Sequence, residues 1–457
     1  MRHQKVSRRD FMRRSAAVGG AALAVRTIVL EPRSGACATW MPAASPKPVP
    51  PSDTVRFGII GIGMQGNGLL RTAVSLPGVE CVAACDLYDG RQEVAKDIVG
   101  KPILTTRRYK ELLDNQEIDC IINATPDHWH KQIVVDCCNA GKDVYCEKPM
   151  THTVSEGFEM IEAEKKNNRI VQVGSQRPSS VIYAKAKEII EKGLVGDVCL
   201  VEAWMGRNEP SGAWQYPLPP DLSPQNLDWD TWLGPAPKIP FNPIHYQRWR
   251  CWQAYGSGVA GDLFVHLLTG IHFMTGLNAP PQRALASGGL YRWKDGRDVP
   301  DVHATVYDYP KFQVYTRVTL NTETPEVTRI MGQGGLLEIL DGELTFRPQD
   351  GLDHGPSFLS GTWPKKVRDE YLSKWRSEHP YRHDAKPEEG VRYTVPPGYS
   401  ETREHLYNFF EAVRTRRPVI EDATFGNHTS IGCHMANLSY NRKTIAIWDA
   451  AGKTIRG

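Results

Sequence analysis

A glycine-rich turn near residue 60 constrains the fold of this chain more than any other feature of its sequence. The apolar run Thr54–Ile60 precedes the turn, and the residues after it have the apolar spacing of a helix. In such a strand, turn and helix the glycines permit a tight bend, a close approach of the backbone to a pyrophosphate, and close packing of the helix on the strand. We therefore predict dinucleotide contacts by the turn residues Gly61, Ile62, Gly63, Met64, Gln65 and Gly66.

An acidic residue stands at the distance that this interpretation requires. A second apolar run, Val79–Cys85, ends at Asp86, twenty residues after Gly66. A carboxylate in this place holds the ribose hydroxyls of the adenosine. It would also repel the 2′-phosphate of NADP, so the sequence favours NAD as the cofactor and makes NADP the weaker alternative.

The next hundred residues continue to alternate between strand and helix patterns. Asp119–Ala124 has the pattern of a strand, Lys131–Ala140 that of a helix, and Asp143–Glu147 that of another strand. This alternation is typical of α/β proteins and predicts a Rossmann-type, doubly wound parallel sheet. Several of the ten cysteines lie in the apolar runs, and we expect them to be core residues. One disulfide bond is the alternative in an oxidising compartment.

Two loops that follow predicted strands hold residues with useful chemistry. Open α/β sheets bind their ligands at the carboxyl ends of the strands, where both loops are expected to lie. An ammonium group there can polarise an alcohol or ketone oxygen as hydride leaves or joins the carbon. For the two histidines, loop packing is the alternative to ligand binding. The predicted cofactor contacts in these loops are Thr125, Pro126, His128, His130, Glu147 and Lys148.

With the glycine turn, Asp86, the loop T-P-D-H-W-H and the motif E-K-P in this order, the chain resembles the Gfo/Idh/MocA family of oxidoreductases from about residue 53 to its end. The resemblance implies a nicotinamide-binding Rossmann domain, taken as residues 53–176. It also implies a C-terminal α+β domain for substrate binding and oligomerisation, taken as 177–457. In such proteins Lys148 would reach a substrate hydroxyl beside the nicotinamide, and Pro149 would follow a cis peptide bond. A homo-oligomer paired through an open sheet is expected.

The second half of the chain contains an acid and an imidazole four residues apart. Strand patterns near residues 198–204, 302–309, 313–320, 328–332 and 336–340 predict a mainly antiparallel sheet. Between them, Asp262 and His266 would project from one face of a helix. They match the family element D-x-x-x-H, in which the histidine acts as acid and base on the reacting hydroxyl and the aspartate assists. Phe264 and Thr269 stand where the family often has Gly and Asp, which leaves the substrate open.

Further contacts are predicted around the crossing between the two domains and in an aromatic stretch. Six of the twelve tryptophans fall within residues 204–252, and indole faces suit sugar rings, although the packing of a long loop is the alternative. Gln176 is predicted to contact the cofactor. The predicted substrate contacts are Arg177, Arg248 and Trp252. No metal site is expected, because the sequence has no grouping with metal-ligand spacing.

The N-terminus predicts export from the cytoplasm. Residues 1–24 hold six Lys or Arg against Asp10, a charge of +5, so the total of +3 leaves −2 for the remainder. Arg8 and Arg9 followed by Phe11 and a short apolar stretch resemble a twin-arginine signal, here taken as residues 1–37. A disordered basic N-terminus and a lipoprotein site at Cys37 are the alternatives. Residues 38–52 are Pro-rich and predict a linker.

Together these features predict an exported oxidoreductase that acts on a sugar or sugar derivative with bound NAD. The near-neutral charge argues against a nucleic-acid partner, and the apolar stretch near the N-terminus is too short to span a membrane. Outside the cytoplasm the cofactor cannot be exchanged freely, so we expect it to be retained and restored in each cycle. A glycoside hydrolase that uses transient oxidation and a non-enzymatic ligand sensor are the alternatives.

Overall fold

A computed structural model describes residues 53–351, 355–379 and 390–457. The predicted export signal and the Pro-rich linker lie outside the described residues. Within these ranges, no helix is both long and apolar enough to cross a membrane. The described chain forms two sheets with helices packed against them.

The first sheet has six strands, all parallel, in the order β3-β2-β1-β4-β5-β6. This is the predicted doubly wound sheet. The strands are β1 Val55–Ile60, β2 Val79–Cys85, β3 Leu104–Thr106, β4 Cys120–Asn123, β5 Asp143–Glu147 and β6 Val171–Gly174. The helices between them are α1 Met64–Val74, α2 Asp89–Val99, α3 Lys110–Asp114, α4 His130–Asn139 and α5 Val154–Asn167.

Both faces of the first sheet are buried, which explains why its strands are apolar throughout. On β5, Val144 and Cys146 pack against α4 and α5, whereas Tyr145 between them packs on the opposite face. The opposite face is covered by α1 and by a helix from the end of the chain, α11 Glu401–Thr415. The carboxyl ends of β1, β4 and β5 therefore meet at one edge, where the predicted loops begin.

The second sheet has ten strands in the order β14-β13-β12-β11-β7-β10-β9-β8-β15-β16. All its pairs are antiparallel except β7 with β10, so the prediction of a mainly antiparallel sheet is confirmed. The strands are β7 Val198–Gly206, β8 Arg283–Gly289, β9 Val302–Asp308, β10 Gln313–Thr319, β11 Thr324–Gly332, β12 Gly335–Leu340, β13 Glu343–Pro348, β14 Val391–Thr394, β15 Ala446–Asp449 and β16 Thr454–Arg456.

Helices cover one face of this sheet and enclose the largest core of the protein. The remaining α-helices of the described chain are α6 Val181–Glu191, α7 Trp229–Leu233, α8 Pro243–Gln247, α9 Val265–Thr275, α10 Lys365–Glu378, α11 Glu401–Thr415 and α12 Ala423–Arg442. Of these, α6, α9 and α12 contribute to the core. The other face is partly exposed, with Leu200, Glu202 and Trp204 alternating with buried residues on β7. Pairing of subunits through this face stays a prediction.

The cysteines in the described residues are all free. Eight of these nine are buried and only Cys199 is exposed. Burial raises the pKa of Cys81 to about 12, so that its thiol stays protonated at neutral pH. The expectation that Cys81, Cys85, Cys120 and Cys146 are core residues is confirmed.

The chain returns to the first unit near its end. Leu406, Phe409 and Phe410 of α11 are buried against Phe57 and Tyr145 of the first sheet. A boundary at residue 176 thus separates the two sheets but not the two cores, because α11 completes the core of the nucleotide unit.

The packing of α11 predicts a large loss of stability when one of its rings is removed. Phe409→Ala should lower the free energy of unfolding by about 3–5 kcal/mol, the usual cost of deleting a buried phenyl ring. The matched control is Phe358→Ala, since Phe358 is 96% exposed and its loss should change stability by less than about 0.5 kcal/mol. Denaturant unfolding followed by circular dichroism measures both; equal effects would contradict the assignment of α11 to the first core.

Candidate active site

The glycine turn forms the floor of a cleft at the carboxyl edge of the first sheet. Gly61 has φ +87°, and a Cβ on it would lie 2.8 Å from the carbonyl oxygen of Ala124. A Cβ on Gly66 would lie 1.9 Å from the carbonyl oxygen of Gly61, so α1 can begin here only with glycine. Gly63 faces open space apart from the Arg91 guanidinium at 3.7 Å. The turn thus leaves room for a ligand against the backbone at Gly63.

Asp86 closes the turn from the end of β2. Its Oδ2 accepts a hydrogen bond from the Ile62 N–H at 2.7 Å, and its Oδ1 accepts one from the Tyr88 N–H at 3.0 Å. Each carboxylate oxygen can accept a second bond, and Asp86 lines the cleft, so acceptor positions are available to a ligand. The Arg91 guanidinium lies 3.9 Å from Oδ2.

One wall of this cleft comes from residues 221–250, which we call the strap. The strap is bonded to the nucleotide unit along its length: the Asp228 N–H donates to the Leu87 carbonyl at 3.0 Å, and the Trp129 indole donates to the Trp232 carbonyl at 2.9 Å. Trp229 and Trp232 stack at 4.9 Å within its own aromatic cluster. Its residues on the cleft are Thr231, Trp232, Tyr246, Gln247, Trp249 and Arg250. The strap and the glycine turn together bound a cleft of about 300 Å³.

A buried carboxylate joins the two halves of the protein beside this cleft. The Lys148 ammonium donates to Oδ1 of Asp262 at 2.8 Å and to its carbonyl oxygen at 2.9 Å. Arg250 donates from Nε to the same Oδ1 at 3.0 Å, and the Trp214 indole donates to Oδ2 at 3.1 Å. Burial raises the pKa of Asp262, but the charges of Lys148 and Arg250 outweigh it and hold that pKa well below its ordinary value. Asp262 is therefore ionised.

His266 faces the same place from the following helical turn. Asp262 lies in a π-helical segment, Ala260–Phe264, and His266 in the first turn of α9, and both line a second cleft of about 170 Å³. The prediction that they share one face is confirmed. Burial and the positive charges of Lys148 and Arg177 lower the pKa of His266 well below its ordinary value, so its ring is neutral at pH 7.

The tautomer of His266 follows from its hydrogen bond. Nδ1 lies 3.4 Å from the carbonyl oxygen of Ser175. A carbonyl oxygen only accepts, so Nδ1 has the proton and Nε2 has the lone pair. His266 is thus prepared to accept a proton at Nε2.

Glu147 lies between the two clefts. Its Oε1 accepts from the side-chain amides of Gln65 at 3.0 Å and Gln176 at 3.3 Å. Burial raises the pKa of Glu147 to about 7, against the Lys148 charge and the Gln65 hydrogen bond, which lower it. The Lys148–Pro149 peptide bond that follows is cis, as the resemblance implied.

Most of the predicted cofactor contacts lie on the cleft surface, and four do not. Those on the first cleft are Gly61, Gly63, Met64, Gln65, Asp86, Thr125, Pro126, Glu147 and Lys148, and Gln176 lines the second. Ile62 and Gly66 lie behind the turn, where Ile62 is buried and Gly66 contacts Gly61.

The two loop histidines pack inside the protein, which corrects their prediction as cofactor contacts. Both ring nitrogens of His128 approach carbonyl oxygens, of Tyr255 at 3.2 Å and Trp232 at 3.0 Å. His130 lies between the carbonyl oxygens of Pro149 at 2.8 Å and Thr125 at 2.9 Å. Since their polar atoms face backbone carbonyls, these rings shape the loops instead of the cleft surface.

The three predicted substrate contacts also have other partners. Arg177 forms ion pairs with Glu326 at 2.6 Å and Glu401 at 3.1 Å. Arg248 donates to the Tyr216 carbonyl and to Gln215, and Trp252 stacks on His245 at 3.9 Å. None of the three lines either cleft. Closeness in sequence to the Asp262 helix was the wrong criterion, because the chain between them turns irregularly.

Three residues on the second cleft were missed. Arg250 and Tyr216 line both clefts, and Arg207 lines the second cleft with His266. Arg207 directly follows β7, a strand that the sequence does predict, so a search for polar residues at the ends of strands in the second sheet would have found it. Arg250 and Tyr216 lie in irregular chain and give no local signal.

These residues fit a dinucleotide better than a metal ion. No group of three or more His, Cys, Asp or Glu that could hold a metal occurs in the part of the chain that the structure describes. In contrast, a Cβ at Gly61 or Gly66 would collide with the turn, which keeps the open cradle that a pyrophosphate needs.

Two models of known protein families match this chain. A model described as the oxidoreductase family, NAD-binding Rossmann fold, matches residues 55–175. A second, described as the oxidoreductase family, C-terminal alpha/beta domain, matches residues 183–283.

Individual relatives include an inositol 2-dehydrogenase of Salmonella typhimurium, 36% identical over 150 residues that cover 32% of this chain and 45% of the relative. A glycosyl hydrolase family 109 protein of Shewanella pealeana is 30% identical over 215 residues, 44% of this chain and 46% of that protein. The chain thus spans about half the length of the curated relatives it matches. The structure of an aldose-aldose oxidoreductase from Caulobacter crescentus superimposes with a TM-score of 0.62 at 17% identity, over 86% of this chain and all of that one, and so has the same fold.

The tight contact at Gly66 predicts that a methyl group there weakens nucleotide binding. Gly66→Ala places its Cβ against the Gly61 carbonyl and must displace the turn, so affinity for NADH should fall by at least about tenfold. Gly68→Ala on the same helix meets no heavy atom within 4 Å and is the matched control. Fluorescence titration with NADH compares the two, and equal affinities would contradict the placement of the turn on the cleft floor.

The buried carboxyl group of Glu421, which is linked to His266 through Ser175, should make the stability of the protein depend on pH. Ser175, whose carbonyl contacts His266, donates from Oγ to Glu421 at 2.6 Å. Burial raises the pKa of Glu421 to about 8, above its unfolded value near 4.5, so the folded state binds the extra proton between these values. Stability due to this group is therefore present at pH 4.5 and is lost as the pH rises to 8.

Glu421→Gln should remove this part of the dependence. Between pH 5 and 8.5 the Tm of the wild type should fall more steeply than that of the variant, whereas Glu93→Gln on the exposed surface should keep the wild-type slope. Differential scanning calorimetry gives the slopes. A parallel decline in wild type and Glu421→Gln would show that Glu421 is not protonated in the folded protein.

Proposed function

From the membership of this chain in the Gfo/Idh/MocA family of oxidoreductases, we propose that it is an NAD-dependent oxidoreductase of a sugar or sugar derivative. The single observation that best supports this function is the convergence of Lys148, Asp262 and His266 beside the nucleotide cleft. Bound NAD would supply a hydride acceptor and donor for a carbinol carbon. Side chains of this protein would carry out the other parts of the reaction.

Lys148 and His266 have different roles toward the reacting hydroxyl group: Lys148 acts on its oxygen and His266 on its proton. The Lys148 ammonium, at the junction of the two clefts, stabilises the oxygen as it gains negative character. His266, neutral and with its lone pair on Nε2, accepts the hydroxyl proton and returns it in the reverse direction. Asp262 positions the ammonium and balances its charge.

Asp86 supports NAD over NADP. Its carboxylate lines the adenosine side of the cleft, where it would accept bonds from ribose hydroxyls and repel a 2′-phosphate. Arg91 and Arg107 also line this side, but Arg107 is paired with Asp89 at 2.7 Å and Arg91 lies over the Tyr246 ring at 4.9 Å. Each of the two guanidinium groups therefore already has a partner for its charge.

We further propose that the protein works outside the cytoplasm and keeps its cofactor. The predicted twin-arginine signal motivates the location, since that route exports folded proteins with cofactors already bound. The strap supports retention of the cofactor, because it forms one wall of the cleft and is hydrogen-bonded to the nucleotide unit at several points. Retained NAD requires a net reaction that restores it, by coupling two sugars or by oxidising and re-reducing one.

The second route makes glycoside cleavage a second candidate. The similarity to a glycosyl hydrolase family 109 protein favours keeping it. Transient oxidation at one ring carbon would acidify the neighbouring C–H and allow the leaving group to depart. Lys148 and His266 would have the same roles as in simple oxidation.

The test begins with the protein purified without added nucleotide. Released nucleotide is identified by mass spectrometry, and absorbance of reduced nicotinamide is followed as aldoses, uronates, inositol and aryl glycosides are added. We expect bound NAD and its reduction by at least one sugar. Aryl glycoside cleavage without net reduction would select the second candidate. Absence of nucleotide binding would exclude both.

Substitution at the site should abolish turnover while preserving the fold. Lys148→Met and His266→Ala should each lower the rate of nicotinamide reduction by about 10²–10⁴-fold, the usual contribution of a positioned acid, base or charge. Lys131→Met on α4, a partly exposed lysine paired with Glu159, is the matched control and should keep the wild-type rate. Stopped-flow absorbance measures the rates, and circular dichroism verifies the fold. Wild-type rates in both site variants would refute the assignment.

A further inference from the structure

Arg207 occupies a place in the second cleft that the proposed chemistry does not use. It directly follows β7, and its backbone N–H donates to the Thr319 carbonyl at 2.9 Å, which fixes the end of the strand. Its side chain lines the second cleft together with Lys148, Asp262 and His266. It is thus placed to contact a molecule whose hydroxyl lies between Lys148 and His266.

The guanidinium of Arg207 has little protein contact. Among the described residues, its one hydrogen-bond acceptor is the Gly212 carbonyl oxygen, 3.5 Å from Nη1 and at the limit for such a bond. The other two cations of this cleft are bonded to Asp262 at 2.8 Å from Lys148 and 3.0 Å from Arg250. Oδ1 of Asp262 thus accepts from both of these cations and Oδ2 accepts from the Trp214 indole, whereas Arg207 donates to neither oxygen.

The charges on this cleft do not balance. Lys148, Arg207 and Arg250 contribute three positive charges. Asp262 contributes one negative charge, and Glu147, with a pKa raised to about 7, contributes between none and one. His266 is neutral. At neutral pH the lining therefore has an excess of one to two positive charges, and among the described residues Arg207 is the one of the three cations that forms no ion pair.

We propose that the substrate is an anionic sugar whose carboxylate is bound by Arg207 while its reacting hydroxyl lies between Lys148 and His266. This inference rests on the proposed function. A guanidinium presents a planar pair of N–H donors that matches the two oxygens of a carboxylate. A phosphate monoester brings about −1.5 to −2 charges at pH 7, which exceeds the cleft charge when Glu147 is ionised and offsets it when Glu147 is protonated, so a sugar phosphate is a separate arm of the test. The cleft volume of about 170 Å³ suits one small ring.

Calorimetry on the nicotinamide-loaded protein tests the inference without requiring turnover. The ligands are glucuronate, galacturonate and mannuronate, each paired with its neutral aldose, and glucose 6-phosphate as the phosphate arm. We expect at least one uronate to bind about 10- to 100-fold more tightly than its aldose, the gain typical of one hydrogen bond to a charged group. This gain should shrink as NaCl is raised from 50 to 500 mM.

Arg207→Gln should weaken binding of that uronate by the same 10- to 100-fold and change aldose binding by less than about threefold. Arg392→Gln removes a surface arginine on β14 that pairs with Glu343, and as the matched control it should leave both affinities unchanged. Aldoses that bind as tightly as every uronate, or an Arg207→Gln variant with undiminished uronate affinity, would overturn the proposal. Tighter binding of glucose 6-phosphate would overturn the choice of carboxylate.

Absorbance measured in the same samples separates this inference from the proposed function. If a neutral aldose reduces the bound nicotinamide and uronates neither bind nor react better, the oxidoreductase stands and the anionic substrate fails. If uronates bind through Arg207 and no sugar in the panel reduces the nicotinamide, the anion site stands and the oxidoreductase fails.

Discussion

The ion pair between Lys148 and Asp262 joins the two halves of the molecule and organises the site around it. Lys148 directly follows β5 of the first sheet, and Asp262 lies in the π-helical segment that precedes α9 of the second unit. A buried pair of charges is stable only when hydrogen bonds satisfy both partners. Here Arg250 and the Trp214 indole supply the additional donors to the carboxylate. Any shift between the two units would leave these groups unpaired, so the cleft geometry is firmly held.

The same arrangement places an ammonium group and a neutral imidazole together beside the nucleotide cleft. Burial, together with the charges of Lys148 and Arg177, lowers the pKa of His266 and keeps its ring neutral, which suits it to accept a proton. The strap forms one wall of the nucleotide cleft, and its stacked tryptophans pack in an aromatic cluster behind that wall. Water exclusion, proton acceptance and ammonium placement therefore depend on contacts between the units and not on either unit alone.

The sequence predicted the parts of the fold that depend on local patterns. The glycine turn, Asp86 and the E-K-P loop were placed correctly, because each follows a strand whose apolar period is visible over a few residues. The pair Asp262 and His266 was also found, since spacing along a helix determines a shared face. Two features were not predicted: the parallel pairing of β7 with β10, and the return of α11 to the first core. Both depend on contacts between segments that are far apart in sequence, so the local spacing of apolar residues does not indicate them.

Side-chain direction in irregular chain was the main source of error. Arg248 and Arg250 are two residues apart, yet only Arg250 reaches Asp262, whereas Arg248 turns back to the Tyr216 carbonyl. His128 and His130 follow a strand end, as ligand-binding residues do. Their ring nitrogens instead contact backbone carbonyl oxygens, that of Trp232 in the strap for His128 and that of Pro149 for His130. In each case the partner that decides the direction lies far away in sequence.

In the proposed function, hydride passes between a sugar carbon and a nicotinamide held beside Lys148 and His266. Transfer of an isotope tests it most directly: the purified protein is incubated with glucose or glucuronate deuterated at every carbon, and the bound nucleotide is then released and examined by mass spectrometry. The account predicts a nucleotide heavier by one deuterium in the wild type, and an unlabelled one in Lys148→Met. The comparison is made on the reduced nucleotide, because a hydride returned to a sugar takes its label with it; a wild-type nucleotide that the sugar reduces but that contains no deuterium would contradict the proposed function.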